Sequence, residues 1–144
     1  MPTVSRSRTL SAVPDDVWAV VADPHHLPRW WPRVARVERA GEGSFTQVLM
    51  TKKGKAVRAD FHLAELDEPS HVAWEQDLEG TPFERLLASA RTEVAIAPAL
   101  QGTEITLTVR QKLRGWSRVG PFFFRSATRK QLDAALTGLE QACG

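Results

Sequence analysis

The chain is predicted to be an α+β protein, a curved antiparallel sheet of seven strands around a long C-terminal helix, with two short helices between strands one and two. Three observations lead there. From Val34 to Leu113 a period-two alternation of apolar and polar residues is interrupted only by short turn-forming stretches, so successive strands are antiparallel neighbours. Before it, Pro14 and Asp23-Pro24 each mark a helix start. After it, Leu132, Leu136, Leu139 and Cys143 recur at the spacing of one helical face.

The first strand is Val4–Leu10, an extended alternating stretch. It runs into Ala12-Val13-Pro14-Asp15-Asp16-Val17-Trp18. Pro14 suits a first helical position, where its missing N–H costs nothing, and the two aspartates complement the positive end of the helix dipole. A short helix over Asp15–Ala22 is expected, burying Val17, Trp18 and Val20 or Val21. Asp23 then caps a second short helix through His25, His26 and Leu27, which Pro28 and Pro32 are expected to keep from growing.

Turns at Gly41-Glu42-Gly43, Lys53-Gly54-Lys55, Asp67-Glu68-Pro69-Ser70, Glu79-Gly80-Thr81-Pro82 and Pro98–Gly102 leave strands near 33–40, 44–52, 56–66, 71–78, 84–97 and 103–113. Alternation assigns their faces. Val57, Ala59, Phe61 and Leu63 oppose Arg58, Asp60 and His62; Val72, Trp74 and Leu78 oppose Ala73, Glu75 and Asp77; Ile105, Leu107 and Val109 oppose Glu104, Thr106, Thr108 and Arg110. In the sixth strand Leu86, Ala88, Ala90, Val94 and Ile96 oppose Arg85, Arg91 and Glu93, which read as a salt-bridged outer surface at least as well as a catalytic group. The dry face needs a cover, and the leucine stripe with Ala135 and Ala142 supplies it, while Arg129, Lys130, Asp133 and Glu140 turn away. Gly138 within that helix costs about 1 kcal/mol relative to alanine, so close helix–sheet approach is expected there.

A chain of 144 residues is expected to form one domain spanning 1–144. Its 42% hydrophobic and 25% charged residues are ordinary for a soluble globular protein and speak against disorder. The longest apolar runs, Val17–Ala22 and Pro121–Phe124, fall far short of the roughly 20 residues of a membrane span. The first eight residues lack the apolar block of a secretory signal, so a cytoplasmic protein is expected. Cys143 is the only cysteine, which rules out an internal disulfide and a cysteine-rich metal site. None of the four histidines has metal-ligand spacing, and no phosphate-binding glycine loop, dinucleotide fingerprint or nucleophile elbow is present, so no metal and no cofactor is expected. The net charge of +2 is too small to imply a nucleic-acid partner. Arg29, Arg33, Arg36 and Arg39, and Arg118, Arg125 and Arg129, are read as solvated edges, and the chain is expected to be a monomer or a homodimer.

Strand, two short helices, six-strand meander and long helix is the layout of the helix-grip fold. Three local motifs strengthen the likeness: Ala12-Val13-Pro14-Asp15-Asp16-Val17-Trp18 leading to Asp23, Leu27-Pro28-Arg29-Trp30-Trp31-Pro32, and Pro98 to Gly102-Thr103 between the last two strands. Together they resemble the START/polyketide cyclase-like (SRPBCC) superfamily, which holds polyketide cyclases, coenzyme Q-binding proteins, Bet v 1-like allergens and lipid-transfer domains. The resemblance covers nearly the whole chain and picks out no subfamily.

A strongly bent sheet around one straight helix leaves space that side chains do not fill, expected to open near the short helices and the loop before the long helix. Trp74 and Phe61 lie on the dry face, where Gln76 and Gln111 place uncharged hydrogen-bonding groups that either orient a carbonyl or hydroxyl or meet water at strand ends. Trp30 and Trp31 are adjacent, so one is expected to anchor the core and the other to sit at the rim or pocket entrance. Trp116 and Phe122–Phe124 either form a lid or pack the start of the helix. The candidate ligand-binding set is therefore Trp30, Trp31, Phe61, Trp74, Gln76, Gln111, Trp116 and Phe122.

Three functions compete. The first is binding or transport of a small hydrophobic molecule, lipid, polyketide or quinone-like, without catalysis. The second is a cyclase or aromatase in which the pocket folds a poly-ketone chain and a polar side chain moves a proton. An inward histidine, arginine or aspartate would mark it, and His62, Arg85 and Asp60 are all assigned outward. The third is association with a ribosome or another protein through the basic edges.

Overall fold

The computed structural model describes residues 3–113 and 120–143, with side chains in the last segment from residue 125 onward. Strand β1 (Thr3–Leu10) is followed by helix α1 (Pro14–Val21), a 3₁₀ turn at Pro24–His26 and helix α2 (Leu27–Trp30). Then come β2 (Val34–Gly41), β3 (Ser44–Met50), β4 (Ala56–Asp67), β5 (His71–Asp77), a 3₁₀ turn at Pro82–Arg85, β6 (Leu87–Ala99), β7 (Gly102–Leu113) and helix α3 (Gly120–Cys143). The seven strands form one antiparallel sheet in the order β1-β7-β6-β5-β4-β3-β2. This is the helix-grip arrangement. The chain leaves one edge of the sheet at β1 and re-enters at the other with β2, so α1 and α2 have to cross the open end between them. Among the described residues no helix is long and apolar enough to cross a membrane.

The helix starts work as the sequence chemistry requires, with one correction. Pro14 opens α1, and the Asp23 carboxylate accepts the His25 backbone N–H at 3.0 Å. Pro28, expected to block the second helix, sits inside the first turn of α2, where a proline has no backbone bond to lose. The chain turns to an extended conformation at Trp31, ahead of Pro32.

Helix α3 buries Leu132, Ala135, Leu136 and Leu139 completely. It packs chiefly on β1 and α2. Gly138 does mark a close approach, but to a different neighbour from the one expected. A Cβ there would lie 2.8 Å from the Trp30 Cα and would overlap the Trp30 carbonyl oxygen, so the glycine admits the backbone of α2, not the sheet. Gly102, at φ +142°, fits against the Leu10 carbonyl and Ser11 in the same way, and Thr103 Oγ1 next to it donates to the Ala12 carbonyl at 2.8 Å. The Gly102-Thr103 pair thus ties the β6–β7 hairpin to the segment that leads into α1.

Some face assignments change. The sixth strand was expected from residue 84, but Pro82–Arg85 forms the 3₁₀ turn and a register shift separates Leu87 from Ser89. Arg85 therefore lies outside the strand, and Leu86, 66% exposed, and Ala88, also exposed, face water instead of inward. Ala73, assigned to the wet face, is fully buried. Its direct partners across the sheet are Glu65 and Glu93, whose side chains are long enough to roof a methyl group.

Candidate functional site

Strand pairing lines up one belt of side chains across the inner face of the sheet. Phe45, Phe61 and Gln76 are successive cross-strand partners in one row. Trp74, Thr92 and Val109 form the next, and Ala90 faces Gln111 in a third. Toward the other end of the sheet, Val72, Val94, Ile96, Ile105 and Leu107 reach the α3 leucines and fill the space between the layers. In the belt the corresponding inward positions include Ala59, Ala90 and Thr92, which are too short to do so. The result is a cavity of about 120 Å³. Leu27 and Trp30 close it from α2, Trp31 from just beyond that helix and Gln131 from α3, and Phe83 from the Pro82–Arg85 turn lies at its side.

Aromatic rings make most of its wall. Phe45 stacks on Phe61 with centroids 5.3 Å apart and meets Trp74 edge-on at 5.9 Å. Trp30 and Trp31 are perpendicular, 5.4 Å apart. Both are buried and both line the cavity, which corrects the expectation of one core anchor and one rim residue. The backbone changes between them: α2 ends at Trp30 and Trp31 is extended, so the pair does not follow the spacing of a continuing helix.

The structure brings Trp30, Trp31, Phe61, Trp74, Gln76 and Gln111 around this one cavity. Trp116 lies outside the described residues, and Phe122 falls in the first turn of α3, where side chains are not described. Sequence reading missed Phe45, Gln47, Phe83, Ala90, Thr92 and Gln131. Phe45, Gln47 and Leu49 share a parity that would have revealed them, but burial is continuous from 45 to 48, so no polar-out, apolar-in contrast marks β3. Gln131 lies beside the leucine stripe, not within it.

Polarity in the cavity comes from Gln47, Gln76, Gln111, Gln131 and Thr92, and no described residue around it is ionisable. Two donors are unmatched. The Trp30 indole N–H and the Gln76 side-chain N–H group are buried without a hydrogen-bond partner among the described residues. The β5–β6 ladder stops at Glu75–Arg91, and beyond it Gln76 and Ala90 line both the cavity and a wide groove on the outer face. A second groove, carrying Arg33, Lys52 and Lys130, shares Gln111 and Gln131 with the cavity.

The ionisable groups cluster on the outer face. His62 Nδ1 lies 2.6 Å from Asp77, and Asp60 accepts from Thr46 Oγ1 at 2.5 Å. His71, expected in a turn, begins β5 and sits between Glu65 and Glu93 at 3.3 and 3.4 Å. These three have the residue types of a metal site. Arg91 nevertheless pairs with Glu65, Glu75 and Glu93, and Arg110 with Glu93, so the carboxylates already have cations. Partial burial pushes the Glu93 carboxyl up, but the Arg110 hydrogen bond and the two guanidinium charges outweigh it and hold the group below the usual glutamate range. At the basic edge Arg36 and Arg58 share Glu38, and Arg29 donates to the Ala142 carbonyl at 3.2 Å.

Comparison with known proteins adds the following. The family described as polyketide cyclase / dehydrase and lipid transport matches residues 1–144. No curated protein matches by sequence. Among solved structures, the chain is similar to XoxI of Bacillus cereus, with 13% identity over 99% of this chain and 96% of that one and a TM-score of 0.79. It is similar to a START superfamily protein of Mycobacterium smegmatis, with 12% identity over 98% and 96% and a TM-score of 0.79. The di-domain aromatase/cyclase StfQ of the steffimycin biosynthetic pathway matches with 15% identity and a TM-score of 0.78, and 99% of this chain covers 50% of that one. At these identities the likeness is one of fold.

Proposed function

Because this chain belongs to the polyketide cyclase / dehydrase and lipid transport family, we propose that it works as one ligand-binding domain that holds a small hydrophobic molecule in the cavity under α2. The observation that carries this reading is the cavity itself, walled by Trp30, Trp31, Phe45, Phe61 and Trp74 and furnished with a few uncharged amides, which is the usual make-up of a small-molecule site. Packing alone does not account for it, since an unfilled void destabilises a protein that has nothing to put there.

Binding is favoured over chemistry. Asp60, His62 and Arg85, the groups that would mark a cyclase, do not line the cavity, and the glutamines and Thr92 that do are poor proton carriers near neutral pH. The basic edges carry a partner role poorly, because Arg36 is already paired with Glu38.

The test is direct. Protein purified without detergent should release a hydrophobic compound on denaturation, seen by mass spectrometry, and members of a panel of fatty acids, polyketides and quinones should raise its melting temperature. An empty protein that no member of the panel stabilises would end this reading.

A further inference from the structure

Resting on that reading, we infer that the ligand is an amphipathic anion, a compact apolar group with a carboxylate or phosphate on a short arm, and that its charged end lies in the groove lined by Arg33, Lys52 and Lys130. The three cations come from three separate parts of the chain. Arg33 follows α2, and its carbonyl accepts the Met50 N–H at 2.9 Å, which fixes its backbone beside the end of β3. Lys52 stands between β3 and β4, and Lys130 lies on α3 next to Gln131. All three are exposed, and they line one groove of about 710 Å³ with no carboxylate among the described residues around it.

Composition does not explain this one-sided charge, since the chain has 17 acidic residues for 19 basic ones. The wide groove at the gap between β5 and β6 shows the usual arrangement: Glu75, Asp77, Glu79 and Glu84 line it beside Arg91 and Arg110, with Arg91 bound to Glu75 and Arg110 to Glu93. Like charges gathered without a counter-charge repel one another and attract an anion. The basic groove also adjoins the cavity, because Gln111 of β7 and Gln131 of α3 line both. Each space suits one half of the molecule. The cavity, about 120 Å³ against the roughly 150 Å³ of an engineered apolar cavity that accepts benzene, takes about one ring, but no described residue around it is ionisable and an acid group buried there would stay unpaired at high cost. In the groove the same group meets cations and keeps part of its water.

Four probes on one phenylbutyl skeleton test this: 4-phenylbutyrate, 4-phenylbutyl phosphate, the neutral 4-phenylbutan-1-ol and the cation 4-phenylbutylamine. Each is titrated into the protein and followed by tryptophan fluorescence, with Trp30, Trp31 and Trp74 in the cavity wall as reporters. At low salt at least one anion should bind about tenfold more tightly than the alcohol, and the tighter of the two anions identifies the acid group; the amine should bind most weakly. The preference for the anion should shrink severalfold in about 0.5 M sodium chloride and in the double variant Lys52→Gln, Lys130→Gln, with binding of the alcohol kept. Ala90→Leu, which places a larger side chain in the cavity, should abolish binding of all four. Alcohol or amine binding as tight as that of the anions, or an anion preference that survives the lysine changes, would overturn the inference and leave the ligand-binding reading in place. So would anion binding retained in Ala90→Leu, the sign of a surface ion site alone, or a compound released from the purified protein that has no acid group. Failure of all four probes, in a protein that also carries nothing from the cell, would remove the reading beneath it.

Discussion

Replacing Gly138 by alanine sets two physical effects against each other. Helix propensity alone favours the alanine by about 1 kcal/mol, because glycine in a helix interior loses more backbone entropy. The new methyl group, however, would stand 2.8 Å from the Trp30 Cα and 3.0 Å from its carbonyl carbon, and closer still to the carbonyl oxygen. These are main-chain atoms, so no rotamer change clears them. Either α2 moves or α3 lifts from the core that Leu132, Leu136 and Leu139 build. Overpacking of this kind typically costs about 1–3 kcal/mol. Against the propensity gain, the net expectation is a loss of up to about 2 kcal/mol, or a fall in melting temperature of up to roughly 8 °C for a chain of this size. Calorimetry and urea unfolding followed by tryptophan fluorescence measure it. Because Trp30 also forms the cavity wall, the substitution should weaken ligand binding at the same time. A variant that melts higher than the parent, as propensity alone requires, would refute the packing argument.

Gly102→Ala should be destabilising by at least about 2 kcal/mol, since it combines a φ of +142° with a Cβ overlapping the Leu10 carbonyl; an unchanged urea midpoint would contradict the close approach. Ala90→Leu should fill the cavity from β6, abolish binding of any ligand that stabilises the parent, and leave the melting temperature unchanged or slightly higher; retained binding would place the ligand elsewhere. Acid should destabilise the fold. Glu93 sits below its ordinary value because the Arg110 and Arg91 contacts outweigh the upward push of burial, and Asp133 does so through its hydrogen bond from Arg6. For such groups the stabilisation is complete above the unfolded carboxyl range, near pH 4, and is lost as pH falls through the lower folded values. The urea midpoint should therefore hold from about pH 7 to 5 and drop below about 4, less so in Glu93→Gln; a midpoint that rose with acid would have the wrong sign.

Much of the architecture is written in local pattern. The alternation in 56–66, 71–78 and 103–113, the proline and aspartate devices at 14–16 and 23–24, and the leucine stripe of α3 each report a single element's start or its dry side, and all three kinds of signal agree. They fail where an element departs from its own period. The Pro82–Arg85 turn and the register shift at Leu87 break the alternation of β6, which is why Leu86 faces water, and two-sided burial in β3 hides Gln47.

Amino-acid order by itself determined which faces are apolar, hence a one-sided sheet with a helix to cover it, and it placed aromatic and amide side chains on the inward side at 61, 74, 76 and 111. Only the tertiary structure decided where the two layers meet and where they part. Gly138 lets α3 settle on α2, the large aliphatic residues fill one end, and the short side chains Ala59, Ala90 and Thr92 leave the other hollow. Whether a dry residue touches a neighbour or a void depends on the distance between layers that are far apart in the chain, and no local period encodes that distance.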